Sequence, residues 1–491
     1  MQKNLSQNLW YAEFPMKKKL FFCFCAFFSV FLYANETKFD CAQLLNSYLE
    51  HDLTLQKLIL EVSKSELNLK LSKIENGFDI SLSTGNMIFY PGNASSDSQI
   101  TMKPSISAKI PSVKNLTASV FTEYEYKSSS GKNELENTKI AFSVDAISSE
   151  ELLSKISILK SERSLLEAKR LLQTSSLAAE NRFYTELKSI LLHINDIFTY
   201  FQTLYTDKLH LETLKAQGYS ASSSTYRVQE MKVSSGEHDI ETALHNLRLE
   251  FIVFYQHCGI KIDFTDEKKF MDFVPENIPV VEALSFSDYD KENFSEIENA
   301  KWVHKINEMI RASDKFFSLG VNAGYTVKNS STSSDTLDAG ISVAVGGVSL
   351  GSALSFPLGL EGFSPAVSVS MAVSPNSFRK KSITKEQNSL SSKQEQLDIQ
   401  EAYDDYETSL IAYNQTCVNL EWEKNSVAEN FALYKKNESD LYKYYKDGIV
   451  SESEALSAKN NRQLYEIKIL INRLEYILYN NEVLSEFVPA N

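Results

Sequence analysis

Cysteine is scarce in this sequence and is not arranged as a metal or disulfide motif. The 491-residue chain has five cysteines, of which Cys23 and Cys25 lie in an apolar run near the N-terminus. The other three, Cys41, Cys258 and Cys417, are too widely spaced for a disulfide framework or a C-x-x-C metal site. We interpret these three as single apolar or surface positions, and we expect no metal and no cofactor.

Excess positive charge and long apolar runs are lacking as well. The chain has 50 Lys and Arg against 64 Asp and Glu, a formal net charge of −14, and such an acidic chain is a poor partner for nucleic acid. After residue 34 no apolar run reaches the roughly 20 residues that a membrane-spanning helix needs. If the mature protein enters a membrane, it must therefore do so as strands closed into a barrel.

The first 34 residues have the layout of a secretory signal. Three lysines at 17–19 precede an apolar run at 20–33 and the small residue Ala34. This order predicts an upstream extension and then a signal peptide that is cleaved near Ala34. Because Cys23 and Cys25 lie inside the apolar run, a lipid-anchored N-terminus is the less favoured alternative.

Glycine and proline are missing from several very long stretches, which indicates helices. The residues in these stretches are mostly strong helix formers, with apolar positions three and four apart. A stretch of about 70 residues would form a rod of roughly 100 Å. The stretches are 36–76, 148–217, 219–258 (interrupted only by Gly236), 280–319, 376–447 and 449–488.

Two regions between the predicted helices show a different pattern. In 78–147 and 316–375, apolar residues alternate with polar ones, and serine-rich breaks separate the alternating runs. This pattern predicts β-strands joined by exposed loops, with about four strand-like stretches in each region.

The same order of elements is therefore predicted twice, as helix, strands, long helix, turn and helix. The first repeat covers 35–258 with its turn at Gly218, and the second covers 280–491 with its turn at Gly448. A linker at 259–279 joins them. Helix starts are marked by S-x-x-E capping boxes, which are Ser148 with Glu151 and Ser451 with Glu454.

The turn around Gly448 gives the pattern a specific resemblance. Tyr445 precedes this glycine by three residues, and Glu454 lies near the start of the next helix. Together with the secretory signal, the turn at Gly218 and the order of elements, this sequence resembles the TolC-like outer-membrane efflux factors of double-membraned bacteria.

The resemblance implies an α+β membrane protein, in which a long α-helical barrel continues into a transmembrane β-barrel built from two repeats per chain. It also implies a homotrimer that is embedded in outer-membrane lipid and extends into the periplasm. The expected function is the exit duct of a tripartite efflux or type I secretion system, served by a periplasmic adaptor and an inner-membrane pump, without catalysis. We expect four spanning strands per chain, with surplus strands forming extracellular hairpins, because eight would fit poorly on four helix columns.

The resemblance also places candidate functional residues at the helix tips. The predicted periplasmic gate consists of Tyr445, Asp447 and Glu454. The turn residues predicted to contact the adaptor are Gly218, Gly448 and Ser451. Glu454 has the alternative role of closing a capping box, and Tyr445 that of packing near a helix end.

Three positions depart from the family pattern. Ser457 replaces a second acid that often faces the lumen, Val450 replaces a basic residue, and Gly77 stands where a proline commonly separates helix from strand. The loss of charge at Ser457 and Val450 weakens the expectation of a complete gate network.

Two other classes of protein are weighed against the duct. A non-channel periplasmic coiled-coil scaffold would use the same helices, but its β regions would lack an outward apolar face. A serine hydrolase is suggested by G-x-S-x-G around Ser349, yet no histidine follows it in the chain. The seven histidines show no H-E-x-x-H metal motif.

Overall fold

The computed structural model describes residues 39–488 with short gaps. The gaps are 93–97, 111–112, 128–131, 148, 263, 265–266, 315–316, 329–333, 346–347 and 360–364. The predicted signal peptide and the predicted cap at Ser148 lie outside the described residues.

Seven α-helices lie in the described part of the chain. They are α1 Cys41–His51, α2 Leu53–Glu75, α3 Glu150–Ala216, α4 Ser224–His257, α5 Ser295–Ser313, α6 Pro375–Lys446 and α7 Glu452–Glu486. The two longest, α3 and α6, have 67 and 72 residues, so each is about 100 Å long. None of the helices in the described ranges is both long and apolar enough to cross a membrane.

The helices pack side by side in four columns. Helix α3 packs against α2 and α4 on one side and against α5 and α7 on the other, and α5 and α7 also pack against α6. The order across the molecule is therefore α2 with α4, then α3, then α5 with α7, then α6. In the described residues, the outer columns have an extensively packed neighbour on one side only.

Ten strands in the described residues form one antiparallel sheet. They are β1 Asp79–Ser83, β2 Ile88–Tyr90, β3 Gln99–Met102, β4 Ser105–Ile110, β5 Leu116–Lys127, β6 Lys132–Ile147, β7 Phe317–Lys328, β8 Thr336–Val345, β9 Val348–Pro357 and β10 Ala366–Val373. The main order is β1-β4-β5-β6-β7-β8-β9-β10, while β2 pairs with β3 and β3 also pairs with β5. In one chain the sheet is open, with β1 and β10 at its edges.

The four short strands combine into two longer ones. Strand β1 pairs with β4 and β2 pairs with β3, so 79–90 and 99–110 form one hairpin. Its arms are interrupted at Gly85, where an added Cβ would lie 2.1 Å from the Lys103 carbonyl oxygen, and at Pro104, which has no N–H. The Pro104 carbonyl still accepts a hydrogen bond of 3.0 Å from Thr122 N–H, so pairing with β5 continues past the interruption.

The sheet thus contains eight strands in a simple up-and-down order, four from each half of the chain. The strands expected as surplus hairpins are not separate from the others, since the structure joins all eight into one continuous sheet. Sequence periodicity reveals single strands, but the number of strands that share a sheet depends on their pairing.

The two faces of the sheet differ in polarity across its whole width. In one face, a row of paired residues is apolar from edge to edge: Ile80, Ala108, Ala118, Phe142, Ala323, Ala339, Leu354 and Val367. The adjacent row on the other face is small or polar: Ser81, Ser107, Ser119, Ala141, Gly324, Asp338, Ser355 and Ala366. This division follows from the period-2 alternation of the strand sequences.

The main hydrophobic core surrounds the middle of α3. It joins α3 to α1, to the C-terminal part of α4 and to α7, and it is rich in aromatic side chains. Phe264 and Phe270 of the predicted linker are buried in it, so this segment is part of the core. Cys41 and Cys258 are buried there too, and burial raises the pKa of each thiol to about 12.

Two predicted helices are shorter or more divided than expected. The stretch 36–76 breaks at Asp52, whose extended backbone and side chain cap α2 by accepting hydrogen bonds from the N–H groups of Thr54 and Leu55. In the stretch 280–319, only Ser295–Ser313 is α-helical.

The segment before α5 is held out of the helix by tertiary contacts. Phe286 and Phe294 are almost fully buried in a second core with Phe487, and Leu284 N–H donates to Asn480 Oδ1 at 2.8 Å. These contacts with α7 and Phe487, together with the packing of both phenylalanine rings on Tyr406 of α6, override the local preference for helix.

Candidate functional site

The two helix tips end with the same backbone hydrogen bonds. After α3, Gly218 N–H donates to the Lys215 carbonyl and Tyr219 N–H to the Leu214 carbonyl. After α6, Gly448 and Ile449 donate to the carbonyls of Tyr445 and Tyr444 in the same pattern. This double bond pattern is the Schellman motif, which ends a helix at a residue with left-handed backbone.

Glycine is required at both tips for its backbone conformation. Gly218 has φ of +78° and Gly448 has φ of +70°. Apart from the glycine itself and its neighbours along the chain, no described atom lies within 4 Å of a Cβ built on either residue. A side chain would therefore be disfavoured by backbone strain and not by a steric clash. The glycine positions predicted from the sequence therefore have a physical reason.

Gly448→Ala is expected to destabilise the second tip by about 1–2 kcal/mol, because alanine is strained in the left-handed region. Amide hydrogen exchange around this turn should then become about 5–30 times faster. Gly236→Ala in α4 is the matched control, since an added Cβ there meets Leu204 at an ordinary 3.5 Å and alanine favours helix. Equal acceleration in both variants would contradict this explanation.

Glu454 closes a capping box at the start of α7. The Ser451 hydroxyl accepts a hydrogen bond from Glu454 N–H at 3.3 Å, and Ser451 N–H donates to the Glu454 carboxylate at 2.8 Å. Both halves of the predicted box are formed. Glu454 is half-buried, and its gate role is taken up below as a proposal.

Tyr445 and Asp447 lie across the turn from Glu454, at the end of α6. The Tyr445 side chain is 40% exposed, and Asp447 is the exposed C-cap residue. Among the described contacts, no hydrogen bond links either side chain to Glu454. The structure thus brings Glu454 together with Ser451 but does not assemble the predicted trio within one chain.

A polar seam joins the start of α7 to the end of α3. Ser453, Ser457 and Asn460 lie on one face of α7 because they are four and three residues apart. Gln202 Nε2 donates to Ser457 Oγ at 2.7 Å, and Asn460 Nδ2 donates to the Phe198 carbonyl at 2.7 Å.

The polar seam continues to the helix tip. Ser453 Oγ donates to Glu212 Oε1 at 3.3 Å. The polar spacing 453, 457 and 460 was available to sequence reasoning, but the α3 partners Gln202 and Glu212 were not. Ser457, which departs from the family pattern, therefore serves helix packing.

A small cleft lies beside this seam, between α3, α6 and α7. Its volume is about 150 Å³, and its lining includes Tyr205, Leu441, Glu454 and Ser457. Of the three predicted gate residues, Glu454 is the one in this lining. The cleft is too small for a drug-sized ligand, since such sites usually have 300–1,000 Å³.

The structure excludes the hydrolase interpretation of Ser349. This residue lies within strand β9, paired with Ala344 and Ala372 of the neighbouring strands. A nucleophile elbow needs a sharp turn from strand to helix, so this interpretation is wrong. Within the described residues, no group of three or more His, Cys, Asp or Glu side chains has the arrangement of a metal site.

The chain is similar in structure to several bacterial membrane proteins. A membrane protein from Pseudomonas aeruginosa is 11% identical with a TM-score of 0.44, and the match covers 92% of this chain and 91% of that one. The outer membrane protein VceC of Vibrio cholerae is 10% identical with a TM-score of 0.45, covering 91% and 96%. The MtrE outer membrane channel of Neisseria gonorrhoeae is 11% identical with a TM-score of 0.46, covering 90% and 88%.

No curated protein matches the sequence. Two models of one family do match, the TP096X N-terminal domain over residues 44–278 and the TP096X C-terminal domain over residues 279–490. Because these adjoining matches together cover nearly the whole sequence, the chain belongs to the TP096X family.

Proposed function

We propose that three copies of this chain form a ring that acts as an outer-membrane channel, the exit duct of a tripartite efflux or type I secretion system. The observation that carries this proposal is that one chain is a ribbon with matched open edges. Strand β1 follows α2 directly and β10 precedes α6 directly. The free edges of the sheet therefore lie on the same two sides as the outer helix columns.

Both outer helices have an exposed apolar stripe with a seven-residue spacing. On α2 the stripe lies opposite the side that packs on α3. On α6 it extends from Ile383 to Val418. The members are all at least 58% exposed: Leu53, Leu60, Leu67 and Ile74 on α2, and Ile383, Leu390, Leu397, Ile411 and Val418 on α6. Apolar stripes of this spacing are typical of helices that pack against another helix.

A second copy of the chain can cover both edges at once. Edge β10 and helix α6 of one copy would meet edge β1 and helix α2 of the next, which is a head-to-tail contact. Such contacts generate closed rings when the rotation closes, and ring closure also removes the unpaired strand edges. The number of three copies comes from the resemblance to TolC-like factors.

The apolar face of the sheet supports insertion in a membrane. Side chains such as Val367, Val369 and Met371 are 63–73% exposed on it, and contiguous exposed apolar surface marks a contact with lipid or protein. The scaffold alternative predicted β regions without such a face, so the sheet favours the channel.

The helix tips then take the roles expected from the resemblance. Cargo would enter from the periplasm at the tips, where Tyr445, Asp447 and Glu454 would form the gate. Gly218, Gly448 and Ser451 would contact a periplasmic adaptor, and an inner-membrane pump would supply the energy. The channel itself would perform no catalysis.

Planar-bilayer recording of the purified protein tests this function. We expect discrete conductance steps with preference for cations, because a three-fold ring of acids concentrates negative charge in a narrow mouth. Glu454→Gln should lower the cation preference while keeping the capping box, since glutamine can also serve at this position.

Each result bears on a different part of the proposal. Trimers without any conductance would overturn the channel. Conductance with unchanged ion preference in Glu454→Gln would leave Glu454 with its capping role only. Asp447→Asn is the companion variant, because Asp447 is exposed at the same tip and is not part of the capping box.

A further inference from the structure

We infer that all eight strands of each chain span the membrane, so that a ring of three copies closes a 24-stranded barrel. This inference rests on the proposed ring and deepens it, because it sets the width of the duct and hence its cargo class. It doubles the strand number that the family resemblance implies.

The strand lengths support eight spanning strands. A tilted membrane-spanning strand needs about 9–11 residues. Strands β5, β6, β7, β8 and β9 have 12, 16, 12, 10 and 10 residues, and β10 has eight. The two composite strands cover 79–90 and 99–110, which is again sufficient.

The connections have the asymmetry of an outer-membrane barrel. At the end near the helices, strands are joined by the short segments 111–115 and 346–347. At the far end, three of the four connections are longer: 91–98, 329–335 and 358–365. Short turns on the periplasmic side and longer loops outside are characteristic of such barrels.

The apolar face is the same on all eight strands, so polarity does not divide them into membrane-spanning strands and extracellular hairpins. The apolar row begins at Ile80 in β1, continues through every strand and ends at Val367 in β10. A surplus hairpin in the extracellular space would have water on both faces and would not need this row. Since all eight strands share this apolar row, we expect all of them to lie in the same environment, which is the lipid bilayer.

The widths of the sheet and of the helical part also match. Eight strands at about 4.8 Å each cover about 38 Å before tilt, and four helix columns at about 8–10 Å each cover about 32–40 Å. Four strands would cover only about 19 Å, so the barrel would have to be much narrower than the helical part. At these spacings eight strands fit on four helix columns, contrary to the expectation from barrel diameter.

The inner face leaves the barrel open. Small residues recur on the polar face, including Gly320, Gly324, Gly340 and Gly351, where an added Cβ would come within 3 Å of a side chain of the next strand. Barrels of 16–18 strands already enclose an aqueous channel. A 24-stranded barrel with small inward residues is wide enough for polypeptide-sized cargo as well as small solutes.

Site-directed nitroxide labelling in liposomes tests the number of spanning strands. One cysteine is introduced on the apolar face of each of the eight strands, and a second at the adjacent position on the polar face. Leu82→Cys and Ser81→Cys form the pair in β1, and Val369→Cys and Ser370→Cys form the pair in β10. All four positions are exposed in the single chain, so the variants should fold, and the trimer fraction of each is checked.

We expect the label on the apolar face of all eight strands to be several-fold more accessible to lipid-soluble oxygen than its neighbour, which should contact a water-soluble nickel reagent. Lipid contact confined to four strands would overturn the 24-stranded barrel and leave the duct intact. Absence of lipid contact in every strand would overturn both the barrel and the proposed function.

Discussion

Replacing Leu60 and Leu67 together by glutamate is expected to abolish assembly of the ring. Both side chains are exposed in one chain, by 70% and 63%, so the chain itself should fold. In the ring they would be buried against α6 of the next copy, and burying each leucine is worth about 1.5–3 kcal/mol. Losing both weakens each contact by about 3–6 kcal/mol, or roughly 10²–10⁴-fold, even before the cost of burying charge.

Native mass spectrometry in detergent gives the measurement, with trimer expected for the original chain and monomer for the variant. The matched control is Ser63→Glu with Asn68→Glu, which adds the same two carboxylates to exposed positions beside the stripe. If the control dissociates as readily as the stripe variant, general charge repulsion and not the stripe controls assembly. A monomeric original chain would contradict the head-to-tail ring.

Replacing Arg311 by methionine is expected to lower the free energy of unfolding by about 3 kcal/mol. Both guanidinium ends of Arg311 in α5 donate to the Glu395 carboxylate in α6 at 2.8 Å. The Glu395 side chain is 9% exposed, and removing one partner of a buried pair costs about 3–5 kcal/mol. The low end applies because His304 and Asn307 also contact the carboxylate.

The same pair predicts how stability depends on pH. Hydrogen bonds from Arg311, opposed by partial burial, lower the pKa of Glu395 from 4.5 to about 2. Because the pKa is lowered in the folded state, the stabilisation is present above pH 4.5 and is lost as the pH falls toward about 2. This acid sensitivity should be smaller in Arg311→Met.

Urea unfolding in detergent, followed by circular dichroism between pH 7 and pH 3, measures both effects. Lys64→Met in α2 is the control, since the Lys64–Glu61 pair is exposed, with side-chain exposures of 68% and 54%, and such pairs contribute about 0–1 kcal/mol. Equal losses in the free energy of unfolding of the two variants would show that the burial of Glu395 does not strengthen its pair with Arg311.

A second buried charge cluster lies on the other side of α5, facing α3. Arg163 and Arg170 of α3 both donate to Glu298 at 2.6–2.9 Å, and Arg163 lies 4.9 Å from the centre of the Trp302 ring. Helix α5 is thus fixed to α3 by one carboxylate and to α6 by another. Neither cluster had a local signal in the sequence, because the partners are 84–135 residues apart.

The sequence alone determined the features that depend on near neighbours in the chain. Long stretches without glycine or proline place α3, α4, α6 and α7, and the tip glycines end the helices because their φ angles are positive. The Ser451 capping box and the alternation of the strands are local as well. These features follow from backbone sterics and from periods of 3.6 and 2 residues.

Only the tertiary structure decided the features that depend on distant contacts. Burial of Phe286 and Phe294 against α6 and Phe487 keeps 280–294 out of the helix, and pairing across Pro104 unites short strands. Gln202 meets Ser457 across 255 positions of sequence, and β6 meets β7 across the whole of α3, α4 and α5. No local period encodes such contacts, and they are what give the chain its four helix columns, its eight-stranded sheet and its two open edges.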